Sequence, residues 1–156
     1  MNEVELILLN EGSNCTLYTI QFVGEDSSEY QKFYQKFIDN AQLNPDLLRI
    51  VEIMGKIAEK GALERYFRPE GKRKDSVMAL PIVSSKLRLY CLRLSEGILI
   101  LGNGDVKNSR TYQENDNLRG YVLTLQKFEE LLKEGIEKGS VTISERAIVT
   151  DQKFEL

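Results

Sequence analysis

Polar and apolar positions alternate over Lys86 to Leu94, with Lys86, Arg88 and Tyr90 set against Leu87, Leu89 and Cys91. Period two is the spacing of a strand with unlike faces. Ser95, Glu96 and Gly97 interrupt it. Ile98 to Leu101 then forms a continuous apolar run, the pattern of a buried strand. The short connection with its glycine joins the two as a hairpin, and Gly102, Asn103 and Gly104 read as the end of the second strand. Thr16 to Val23 alternates as well, and Tyr18, Ile20 and Phe22 form its predicted inner face. Glu3 to Leu9 alternates in part, with the turn signal Glu11-Gly12-Ser13-Asn14 between these two strands. Val77 to Val83 is a further strand candidate, and Pro81, lacking an amide donor, predicts an edge or bulge there.

Elsewhere the spacing changes to that of helices. Tyr30, Phe33, Tyr34, Phe37 and Ile38 recur at i, i+3, i+4, i+7 and i+8, predicting an amphipathic helix to Asn40 with an aromatic core stripe. Asp26 is its expected N-cap, with Glu29 reaching back. Asn44 is the expected N-cap of a second helix, with Pro45 at its first position and Asp46 as an acid for the dipole. Leu47, Ile50, Val51, Met54, Ile57 and Ala58 share one of its faces, and Gly61 is its stop. Helices joined by so short a connection pack antiparallel. A third helix is expected from Thr124, with Leu125, Phe128, Leu132 and Ile136 inward and Gly139 as its end. Val141, Ile143 and Ala147 to Val149 form a short final strand or tail. This order predicts one α+β domain: an antiparallel sheet with two antiparallel helices packed on one face, plus an N-terminal strand and a C-terminal helical extension.

Composition narrows the chemistry. A chain of 156 residues, 42% hydrophobic and 29% charged, fits one domain with its own core. It contains no histidine, which excludes Ser-His-Asp and Cys-His nucleophile systems and HExxH zinc sites. Cys15 and Cys91 lack metal or redox spacing and read as buried thiols, with a disulfide between them as the alternative, and no metal and no cofactor are expected. The start MNEVELILLNEG has no basic region before an apolar one, and no run reaches the roughly 20 apolar residues a bilayer requires. A cytoplasmic protein with no membrane partner is therefore expected. From Lys56 to Arg93 ten basic residues face four acidic ones, a segment of +6 in a chain of −3. That asymmetry points to an anionic partner for the middle of the chain.

The order of parts resembles the RelE/HigB-like toxins of toxin–antitoxin modules, most closely the phage-derived HigB branch. The residues carrying the resemblance are LYTIQFVGEDSSEYQKFYQKF, IVEIMGKIAEKGALERYFRPEGKRKD and KLRLYCLRLSEGILILGNGDVKNSRTY, and the resemblance covers the chain from Cys15 to Tyr112. The resemblance implies a metal-independent endoribonuclease, an mRNA interferase that cuts mRNA on the ribosome by attack of a ribose 2′-OH on the adjacent phosphate. It also implies a cognate antitoxin, a small helix-turn-helix protein. Carried onto this chain, it assigns charge stabilisation and proton transfer to Arg88, Lys107, Arg110 and Tyr112. RNA contact falls to Arg68, Lys72, Arg73, Lys74 and Tyr90. The branch's Glu-Leu-Arg strand is Met78-Ala79-Leu80 here, and its histidine before the final lysine is absent. A second expectation therefore stands beside the first: a non-catalytic binding protein on the same fold, gripping a protein or RNA partner.

Overall fold

The computed structural model describes residues 2–69, 76–83, 85–107 and 116–156, with Asp116 described by its backbone. β1 (Glu3–Glu11) and β2 (Thr16–Phe22) form an antiparallel hairpin. Helices α1 (Glu29–Phe37) and α2 (Asn44–Lys60) follow. A 3-10 turn, Glu64–Tyr66, leads to the two-residue β3 (Arg68–Pro69). The chain then lays down β4 (Val77–Leu80), β5 (Leu87–Arg93) and β6 (Ile98–Val106) as antiparallel neighbours. After α3 (Asp116–Lys138), a small hairpin of β7 (Thr142–Ile143) and β8 (Ile148–Val149) stands apart, and β9 (Phe154–Glu155) returns to the main sheet. That sheet has seven strands in the order β3-β4-β5-β6-β2-β1-β9.

This corrects the expected antiparallel sheet with two antiparallel helices packed on one face. β2 and β6 are parallel, paired from Thr16↔Ile98 to Thr19↔Leu101, so the sheet is mixed. Helices cover both faces. On one side Leu17, Leu87, Leu89, Cys91, Leu99 and Leu101 pack with Phe33 and Phe37 of α1 and Leu47, Ile50 and Ile57 of α2. On the other, Tyr18, Ile20, Tyr90, Leu92, Ile98 and Ile100 pack with Leu118, Val122, Leu125, Phe128 and Leu132 of α3. The physical reason lies in the central strands. Ile98 to Leu101 is apolar at consecutive positions, so both faces need cover, and burying each such side chain contributes about 1.5–3 kcal/mol. The helix expected as an appendage is the second cover of the sheet.

Local signals moved some boundaries. α1 is capped by Ser28 rather than Asp26: its hydroxyl accepts from Gln31 N–H, and Gln31 Oε1 accepts from Ser28 N–H at 2.9 Å. α2 starts at Asn44 itself, with Leu43 rather than Asn44 in the cap position because the Asn44 side-chain amide donates back to Ile38 O at 2.6 Å, and it stops at Gly61, whose φ of 103° suits glycine. α3 begins at Asp116, and Thr124 lies within it, its hydroxyl donating to Gly120 O at 2.9 Å. Ile136, expected inward, is 41% exposed. β4 stops at Leu80, just before Pro81. β6 does not break at Gly102-Asn103-Gly104 but runs to Val106, with a register shift opposite Leu89 and Cys91 that accommodates the extra residue. No helix of the described residues is long and apolar enough to cross a membrane.

Candidate functional site

Arg88 and Tyr90 lie on β5, on the face that α3 covers. Tyr90 is fully buried in the core it shares with Leu118, Val122 and Phe128. Arg88 is 6% exposed, and its Nη1 donates to Ser85 O at 2.8 Å and Leu87 O at 2.9 Å. Lys107, half-buried just past β6, donates its backbone N–H to Lys86 O at 2.8 Å. With Arg88 opposite Asp105 and Leu87 opposite Val106, strand alternation sets Lys107 on the face of Arg88. The structure therefore brings these two expected residues to one face. Arg68 lies on the edge strand β3, two strands from β5 and in register with Tyr90 through Ala79, and its Nη2 donates to Ile82 O at 2.9 Å. Lys72, Arg73, Lys74, Arg110 and Tyr112 lie outside the described residues.

A polar cluster that the sequence did not single out forms at the carboxyl end of the parallel pair. The β2 pairing stops at Thr19↔Leu101, so beyond Leu101 this side of β6 has no strand beside it among the described residues. Such a gap is where open α/β sheets place ligand crevices. Here α1 fills it with Glu29, Lys32 and Lys36, spaced i, i+3 and i+7 on one helix face. Lys36 Nζ reaches past β6 to Gly104 O at 2.7 Å and Tyr121 of α3 at 3.2 Å, and lies 3.7 Å from Asp105 Oδ2. Glu29, 5% exposed, accepts from Asn103 Nδ2 at 3.5 Å and pairs with Lys32, which also holds Glu25 at 2.8 Å. Burial opposes the charge on Lys32, but the bonds to Glu25 and Glu29 and their negative charges outweigh it and hold the ammonium above the ordinary lysine value. Both ammoniums are committed to protein oxygens. The cluster pins α1 and α3 to β6 rather than offering cations to a ligand. The helical spacing of its lysines is visible in the sequence; their target is not.

Nucleophilic chemistry finds no support at the thiols. Cys15 and Cys91 are buried and free. Burial pushes Cys15 up to about 11, against smaller opposing contributions from Ala62 and Arg93, and raises Cys91 as well. Among the described residues no three His, Cys, Asp or Glu side chains stand together to hold a metal ion.

Among the described residues, the outer edge of β1 is open beyond Val4. β9 covers only Glu3 and Val4. Leu156 N–H donates to Asn2 O on that outer side, while Val23 N–H donates to Glu3 O on the β2 side. By alternation, Leu6 and Leu8 point their N–H and C=O groups outward, and no described residue pairs with them. Leu8 is 50% exposed, and Leu6, Ile7 and Leu9 are half-buried. The segment Glu5 to Asn10 contains no Lys or Pro, the residues that commonly blunt edges. The opposite edge, β3, is two residues long and ends in Pro69.

Comparison of this chain with family profiles, curated proteins and solved structures finds no match.

Proposed function

We propose that this chain is a non-catalytic binding protein that takes an extended segment of a protein partner as an added strand along β1. The observation carrying this reading is the edge from Glu5 to Glu11, uncovered by any strand of the described residues, whose outward Leu6 and Leu8 backbone groups form a template for strand addition. Glu3, Glu5 and Glu11 on β1, with no basic residue on that strand, favour a partner strand that interleaves basic with apolar side chains. Support also comes from the face on which RNA cleavage would have to occur. Charge stabilisation at a phosphate needs donors aimed at the developing charge. Arg88 aims Nη1 at backbone carbonyls, and α3 lies over Tyr90.

Fluorescence anisotropy with a labelled alternating Val/Lys peptide tests the reading. Saturable binding is expected for the wild type, with much weaker binding of a Val/Glu peptide. Leu8→Pro should abolish it while leaving the circular dichroism unchanged, because proline removes an outward N–H from an edge strand without touching the β2 ladder. Equal binding of both peptides, or binding that survives Leu8→Pro, contradicts the proposal. Added to a translating extract, the protein should leave mRNA 5′-ends unchanged. Arg88-dependent cleavage would reinstate the ribonuclease reading.

A further inference from the structure

The inner stripe of α3 runs Leu118, Val122, Leu125, Phe128 and Leu132, each at most 3% exposed. Helical spacing places Ile136 next on that stripe, yet it is 41% exposed, and Ile143 on β7 is 40% exposed. Between them lies a half-open cavity of about 240 Å³, lined by the last turns of α3, Leu94 beyond β5 and the β7–β8 hairpin. Its wall is apolar: Leu94, Leu132, Ile136, Val141, Ile143 and Ile148. Glu129, Lys133 and Ser76 are its polar members.

Glu129 is the unusual one. Its side chain is 9% exposed at the cavity wall, and its charged partner is Lys133, which lines the same cavity, with the two 3.8 Å apart. That is longer than the 2.7–2.9 Å of a direct charge-assisted hydrogen bond, and Lys133 itself is 67% exposed. Glu129 therefore borders the cavity with its counter-charge at ion-pair rather than hydrogen-bond distance, and a ligand cation that made the direct bond would compete with Lys133. The site thus combines an apolar body pocket with one acidic anchor, the form of a small-molecule site.

We propose that this cavity binds a small apolar molecule bearing an ammonium group, a single ring or short chain whose body packs on Ile136, Ile143 and Val141 and whose cation meets Glu129. The volume falls below the 300–1,000 Å³ typical of drug-sized pockets, which restricts the ligand to that size. The site lies apart from the β1 edge and does not depend on strand addition there.

Titration of phenethylamine into the isotope-labelled protein, followed by NMR, tests the proposal. Saturable shifts are expected at Ile136, Ile143 and Val141. The uncharged isostere 2-phenylethanol should bind about tenfold more weakly or worse, and 3-phenylpropionate should not bind. Glu129→Gln should erase the preference for amine over alcohol. Lys133→Ala, at an exposed position, should tighten amine binding severalfold by removing the competing cation, which keeps the test decisive if Glu129→Gln fails to fold. Equal affinity for amine and alcohol in the wild type overturns the proposal. So does the absence of saturable shifts at about 10 mM amine, a concentration that reveals even millimolar affinity.

Discussion

Arg88 is a buried cation whose Nη1 serves two backbone carbonyls, those of Ser85 and Leu87. Hydrogen bonds to a charged group contribute about 1.5–3 kcal/mol each to stability. Arg88→Ala should therefore lower the denaturant unfolding free energy by at least about 1.5 kcal/mol, and Arg88→Lys should recover only part, because an ammonium cannot copy the guanidinium fork. An unchanged midpoint would return Arg88 to the list of residues free to act on a ligand. At Cys15, burial raises the thiol from 9.0 to about 11. The folded state favours the protonated thiol, so this contribution to stability is fully present below about pH 9 and is lost as pH rises through about 11. Cys15→Ala should remove that part of the alkaline loss, read as the difference in denaturant midpoints between pH 8 and pH 11. The same burial predicts that thiol reagents label native Cys15 and Cys91 only as fast as the fold opens.

Among the elements, α1 and the β5–β6 pair carry the sharpest constraints. Phe33 is fully buried and meets Phe37 edge-on, with centroids 5.4 Å apart. Phe33→Ala should cost about 3–5 kcal/mol, measured by denaturant unfolding. Its stripe was legible because helical period, aromatic content and core position agreed. β6 was less so. Gly104 reads in sequence as a breaker, but a Cβ there would lie 1.9 Å from Arg88 O on the neighbouring strand. The glycine keeps β5 and β6 in register; it does not end the pairing. Gly104→Ala should cost about 1–3 kcal/mol or more by forcing the two backbones apart. Loss of the Lys36 bond to Gly104 O should accompany it, visible as a changed Lys36 side-chain signal by NMR.

For the molecule as a whole, the chain's end closes part of the sheet that its beginning opens. Phe154 is 1% exposed and packs edge-on against Phe128 of α3, with centroids 4.9 Å apart, while its strand pairs with Val4. Phe154→Ala should cost about 3–5 kcal/mol and should speed hydrogen exchange at Val4 and Leu156 before the core opens. Uniform exchange across the molecule would show instead that β9 unfolds only with everything else. What the sequence determined by itself is largely local. Periods of two and 3.6, the glycine after α2 and the consecutive apolar run at Ile98 to Leu101 depend on neighbours along the chain, and they located the hairpin, the first two helices and the core of the third. Tertiary structure decided the rest. Whether β6 lies parallel to β2 depends on where a crossover returns, which no periodicity encodes. Whether Arg88 and Tyr90 face solvent or a helix depends on where α3 lands after a connection of its own. The polar half of β5 resembled an open binding face because alternation reports that two faces differ. It does not report what covers either of them, and here the cover is α3.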